Sequence, residues 1–226
     1  MGIKTSATIL AVACVLSVCG FDKSHGADPK FPDWVEWSGS PHHSERRAAK
    51  VTAIIYHYTA GGSLSGTVSW FQNPGSKVSA HYVIGKDGAV VQMVALERAA
   101  WHAGTSILAG KKGVNHFSIG FEIVNWGKLT RREGKFYTYT GRLYRGSQPV
   151  ESRGAYWEPY TDAQYEAVAR LTTAILGKYP IQHITGHSDV ATPKGRKIDP
   201  GPAFDWQRIK MALPDSYQGH VGPLSQ

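Results

Sequence analysis

Apolar residues fall in short blocks along this chain, and the period inside each block separates strand from helix. Val51–Tyr58 is apolar on both faces, the pattern of a central strand covered on each side. Gly61-Gly62-Ser63 turns the chain, and Leu64–Gln72 follows as a short helix that Asn73-Pro74-Gly75 stops. Ala80–Ile84 and Ala89–Leu96 read as strands around Gly85-Lys86-Asp87-Gly88, where Asp-Gly is a hairpin signal. Ser118–Asn125 is a further strand. Thr161 with Gln164 forms a capping box that opens the strongest helix, Asp162–Tyr179. Val168, Leu171, Thr172, Ile175, Leu176 and Tyr179 make its apolar stripe, and Pro180 ends it. A short strand, Gln182–Thr185, and a last helix, Phe204–Leu213, complete the pattern. Strands and helices alternating around one hairpin predict an α/β fold, a mixed central β-sheet flanked by helices, in a single domain over residues 51–213.

Three segments break the pattern. Residues 27–50 form an irregular N-terminal arm interrupted by Pro29, Pro32 and Pro41, with Arg46-Arg47 exposed and Trp34 and Trp37 anchoring it. Residues 127–160, rich in Gly, Arg and Tyr, read as an insertion near the site, with one β-prone stretch at Phe136–Tyr139. Residues 214–226 are a polar, frayed C-terminal tail.

The first 26 residues read as a signal peptide. Lys4 supplies the basic start, Thr8–Cys19 the apolar run, and Ser24-His25-Gly26 the small residues before cleavage. That run is too short to span a bilayer comfortably, and no later segment approaches 18 consecutive apolar residues. The expectation is a soluble periplasmic or secreted protein. Cys14 and Cys19 both fall in the leader, so the mature chain has no disulfide. Cys19 also offers a site for a lipid anchor, though Val18 before it is bulkier than such processing takes, which makes anchoring the lesser reading.

At 42% hydrophobic and 19% charged, the 226 residues can build a core and are not a disordered chain. The net charge is +8; Lys4 and Lys23 against Asp22 lie in the leader, which leaves +7. A basic surface suits the anionic polymers of a cell envelope, unless the charge serves solubility alone. The leader directs the chain away from nucleic acid.

The candidate chemistry lies at the ends of these elements. His57, His187 and Asp199 supply two imidazoles and a carboxylate, the ligand set of a zinc site with one open position. Each has a plainer reading: a hydrogen-bonded core histidine, a solvated loop histidine after Gly186, an aspartate in a turn. His183 is ranked below His187, because Ile184, Thr185 and Gly186 argue against the helix that would pair the two. Pro200 restricts Asp199, and Lys197, two residues earlier in an extended segment, shares its face, so its ammonium can face an oxyanion. Glu122 stands among Gly120, Phe121, Ile123 and Val124. A carboxylate there is either neutral with a raised pKa or bonded to something polar or charged, a zinc-bound water or an arginine.

Six ordered blocks then resemble one family. They are Ile55-Tyr56-His57-Tyr58-Thr59, Val78–Ile84 with Asp87-Gly88, Ala100-Trp101-His102-Ala103-Gly104, Ser118-Ile119-Gly120-Phe121-Glu122, Gly186-His187, and Lys197-Ile198-Asp199-Pro200-Gly201-Pro202. They are similar to the zinc-dependent N-acetylmuramoyl-L-alanine amidases, the AmpD-like, T7 lysozyme and peptidoglycan recognition protein superfamily. The resemblance runs from about residue 50 to residue 213. It implies His57, His187 and Asp199 as ligands of one Zn2+, and Glu122 and Lys197 as catalytic residues. It implies that Trp101 and His102 line the substrate groove and that His81 is structural. The implied reaction is hydrolysis of the amide between N-acetylmuramic acid and L-alanine in peptidoglycan or muropeptides. A non-catalytic wall-binding protein on the same scaffold is the alternative. The arm and the 127–160 insertion depart from the pattern and leave substrate range open.

Overall fold

A computed structural model of the chain describes residues 1–2, 30–48 and 50–224. Nearly all of the expected leader, with both cysteines, lies outside the described residues. In chain order the strands begin with β1 (Glu36–Trp37), β2 (His43–Glu45) and β3 (Ala53–Tyr58). Helix α1 (Leu64–Gln72) leads to β4 (Tyr82–Ile84), β5 (Val90–Gln92), β6 (Arg98–Ala100), β7 (Ile107–Leu108), β8 (Lys111–Lys112) and β9 (Ser118–Ile123). The insertion holds β10 (Lys128–Arg132), β11 (Lys135–Tyr137), β12 (Val150–Ser152) and β13 (Ala155–Trp157). Then come α2 (Asp162–Lys178), β14 (His183–Gly186), α3 (His187–Val190), α4 (Trp206–Ala212) and β15 (His220–Val221).

The main sheet has seven strands in the order β1-β5-β4-β9-β3-β14-β15. Strands β4, β9, β3, β14 and β15 run parallel, and β5 turns back through the Asp87-Gly88 hairpin. The apolar block read as a central strand, β3, is the middle of the parallel set.

Side-chain alternation sorts this sheet into two faces. Ile54 and Tyr56 of β3, with Ile119, Phe121 and Ile123 of β9, pack with Val168, Leu171 and Ile175 of α2. Ala53 and Ile55 point the other way, onto Ala103, Leu108, Val114, Phe117 and Val190. By the same parity His57 and Glu122 emerge on the face away from α2. Helix α2 starts as expected, with Thr161 Oγ1 accepting from Gln164 N–H and the Gln164 side chain accepting from Thr161 N–H.

Several segments differ from the sequence-based expectation. The arm contributes β1 to the main sheet and pairs β2 with β6. Arg46 is tucked in, donating to the carbonyls of Leu96, Asn115 and Ser118. Trp34 packs on the core under Arg170, whereas Trp37 stays 40% exposed and anchors little. The insertion is a four-stranded antiparallel sheet, β11-β10-β13-β12. The tail is not frayed throughout: β15 pairs with β14, so residues 220–221 extend the sheet. Backbone pairing supplies the order in these segments, and a polar composition conceals that.

Candidate active site

Strand register assembles the site. His57 and Glu122 are direct partners across β3 and β9, and Gly186 of β14 is the partner of Tyr56. The three strands therefore end side by side, and the residue after Gly186 is His187. It does not sit on a loop, as expected, but opens the one-turn helix α3, where Gly186 is the N-cap. No side chain fits at Gly186: a Cβ there would lie 2.6 Å from Cδ of Pro200. This close packing seats the segment carrying Asp199 against β14, reinforced by Ser188 N–H donating to the Asp199 carbonyl at 2.9 Å.

His57, His187 and Asp199 converge as the sequence suggests. His57 Nδ1 lies 3.0 Å from His187 Nδ1, and Asp199 Oδ2 lies 3.1 Å from each. All three residues are buried. Among the described residues this is the one group of three such side chains with ligand atoms close enough to share an ion. Tetrahedral zinc with bonds of about 2.0–2.1 Å holds its ligand atoms roughly 3.3 Å apart, so the nearly equilateral triangle fits one ion with a corner open to the cavity. His183 is elsewhere, beside His220 at the far end of β14.

Burial and the facing His187 ring lower the His57 pKa to about 4, against the pull of Asp199. Burial alone would raise the Asp199 carboxyl, but the close His187 and His57 rings hold it well below the usual carboxylate range. A neutral imidazole and an ionised carboxylate are the forms that bind metal.

Glu122 lies beside the triad. Burial, then the charge of Asp199, raises its pKa well above the ordinary value, with Lys197 opposing. Its Oε2 is enclosed and has no hydrogen-bond partner in the protein. A buried carboxylate oxygen without a partner calls for a polar ligand. Lys197 and Asp199 line the same cavity, of about 730 Å3, as do Trp101 and His102. His102 is only 8% exposed, and both ring nitrogens are occupied, Nδ1 by His57 Nε2 at 2.9 Å and Nε2 by Ser118 Oγ at 3.1 Å. His81 is fully buried, its Nδ1 accepting from Gly120 N–H.

Sequence reasoning missed part of the cavity wall. Trp70 of α1, 53% exposed, and Tyr139 of the insertion, 69% exposed, both line it. Trp70 carried a signal, an aromatic on the outer face of a short amphipathic helix. Tyr139 carried none, because the insertion's path over the cavity is set by its own sheet.

The fold and site together define a hydrolase of the amidase type whose buried triad could hold a metal ion. The N-acetylmuramoyl-L-alanine amidase family model (Amidase_2) matches residues 47–202, and the chain belongs to that family. Its reaction is hydrolysis of the amide between N-acetylmuramic acid and L-alanine. The 1,6-anhydro-N-acetylmuramyl-L-alanine amidase AmpD of Enterobacter cloacae is 36% identical over 197 residues, covering 78% of this chain and 89% of that enzyme. A crystal structure of a Se-Met AmpD derivative superposes with a TM-score of 0.63 at 28% identity, covering 83% of this chain and 98% of the other. The E. coli amidase AmiD, solved with anhydro-N-acetylmuramic acid-L-Ala-D-gamma-Glu-L-Lys, gives a TM-score of 0.56 at 27% identity, covering 74% of this chain and 60% of the other.

Proposed function

We propose that the chain is a zinc-dependent amidase acting on peptidoglycan or muropeptides in the cell envelope, with His57, His187 and Asp199 holding one Zn2+. The observation that carries this reading is the triangle of two Nδ1 atoms and one carboxylate oxygen beside the partnerless Glu122 Oε2. Zinc held by these three residues would supply Lewis-acid chemistry, making water a stronger nucleophile near neutral pH. Glu122 accepts the proton of the attacking water, a role suited to a buried carboxylate whose pKa is raised well above its ordinary value. The water oxygen bonds to the lactyl carbonyl carbon. The Lys197 ammonium offsets the negative charge that develops on the carbonyl oxygen. Glu122 then returns the proton to the alanine nitrogen as the C–N bond breaks. Trp101 offers an aromatic face to the substrate from the cavity wall.

The envelope location rests on the leader in residues 1–26 and its cleavage after Gly26. No helix among the described residues is long and apolar enough to cross a membrane. N-terminal sequencing of the exported protein beginning at Ala27 supports the leader; recovery of uncleaved chain in the cytoplasm counts against it.

The direct test is mass spectrometry of products from purified sacculi and from muropeptides, with and without chelator. Free stem peptide, lost on chelation and restored by zinc, is the expected result. Glu122→Gln is expected to lower kcat by about 10²- to 10⁴-fold with zinc still bound. Wild-type turnover in that variant removes Glu122 from the mechanism.

A further inference from the structure

The two metal-site histidines each use Nδ1 toward the triad, so what holds their Nε2 atoms decides how they are aimed. His187 Nε2 lies 3.1 Å from the carbonyl oxygen of Ala103. A carbonyl only accepts, so that nitrogen carries the proton and His187 Nδ1 is bare. His57 Nε2 lies 2.9 Å from His102 Nδ1. The proton order in this second contact is fixed from its outer end. Ser118 Oγ donates its one hydrogen to the Val114 carbonyl at 2.7 Å. It therefore accepts from His102 Nε2–H at 3.1 Å. The neutral His102 ring then has a bare Nδ1, which accepts from His57 Nε2–H and leaves His57 Nδ1 bare toward Asp199.

Both supports come from adjacent residues of one segment, Trp101–Gly104. Asn115 Oδ1 pins that segment, accepting from His102 N–H at 3.2 Å and Ala103 N–H at 2.8 Å. Gly120 makes room for the ring: a Cβ there would fall 2.5 Å from Cγ of His102. The order of carbonyl, hydroxyl and two imidazoles runs inward without a gap. We propose that this strap is the orienting device of the site, and that His102 is a positioning residue and not a substrate contact. Partners on the outer nitrogens of metal-ligating histidines fix tautomer and ring angle. The proposal rests on the zinc reading of the triad.

The test uses the whole protein, stripped of metal and reloaded with zinc chloride. Zinc affinity is read by competition with a chromophoric chelator. His102→Ala is expected to weaken binding about 10- to 100-fold, and His102→Asn, whose Oδ1 takes the place of Nδ1, to recover to within about threefold of wild type. An Ala variant that binds zinc as tightly as wild type, or an Asn variant as weak as the Ala variant, overturns the strap. A wild-type protein that fails to take up stoichiometric zinc overturns the metal reading instead. Nitrogen-15 NMR of the zinc-loaded wild-type protein gives a second test that needs no variant to fold. His102 is expected to carry its proton on Nε2 with a bare Nδ1; a proton on Nδ1 overturns the proposal.

Discussion

Lowering the pH of the metal-free protein from 7 to 5 sets buried imidazoles against their own solvation. His57, His81 and His102 are each buried and stay neutral in the fold, the first with a pKa of about 4, the others well below the ordinary 6.5. Burial is the largest cause in all three, followed by a facing imidazole or guanidinium. Unfolded, each takes up a proton as the pH passes 6.5. The unfolded state then binds more protons, so stability falls as the pH falls through this window. Each histidine costs about 1.9 kcal/mol between pH 7 and 5, or roughly 6 kcal/mol for the three. Glu122 acts in the opposite sense. Its raised pKa means that the folded state binds the extra proton, which returns at most about 3 kcal/mol over the same range. Asp199, with a depressed pKa, loses its contribution only below about pH 4. The net expectation is a loss of at least about 3 kcal/mol, a large share of a typical 5–15 kcal/mol stability. Urea unfolding of chelator-treated protein at pH 7, 6 and 5 measures it. Glu122→Gln removes the opposing group, so its loss over that range should be larger, by up to about 3 kcal/mol. A stability flat to about 1 kcal/mol in the wild type refutes the assignment of neutral buried rings, and an unchanged slope in the variant refutes the raised pKa of Glu122.

Two further outcomes follow from the same structure. Lys197→Met, which keeps much of the side-chain length and removes the charge, should lower kcat by about 10²- to 10³-fold with KM little changed and zinc content intact; steady-state kinetics on a soluble muropeptide decides it, and an unaltered kcat removes Lys197 from charge stabilisation. Leu171→Ala, at a fully buried position where α2 meets the sheet, should cost about 2–5 kcal/mol in urea unfolding, while activity per folded molecule stays at wild type.

The parts of this site legible in the sequence are those fixed by period and parity. A strand apolar on both faces had to be central, and its last residue, His57, had to stand at the strand's carboxyl end. The alternation in β9 put Glu122 out of phase with Ile119, Phe121 and Ile123, the residues that face α2. Given parallel pairing, those two statements already bring His57 and Glu122 to one face; the register then makes them neighbours. Helix α2 was readable because its cap and its stripe agree with each other.

What stayed illegible depends on contacts between distant segments that have no period. Residues 220–221 look like tail because a two-residue edge strand takes its hydrogen bonds from β14 and has too few positions to show alternation. The insertion resolves into a sheet because its strands pair with one another. His102 is the instructive case. Its place in an aromatic motif beside the cavity suggested contact with substrate, yet its Nδ1 faces a histidine 45 positions earlier and its Nε2 a serine 16 positions later. One-dimensional patterning indicates which face a residue occupies. It carries no information about the partner of each ring nitrogen, and in a metal site those partners decide whether a histidine is a ligand or the support behind one.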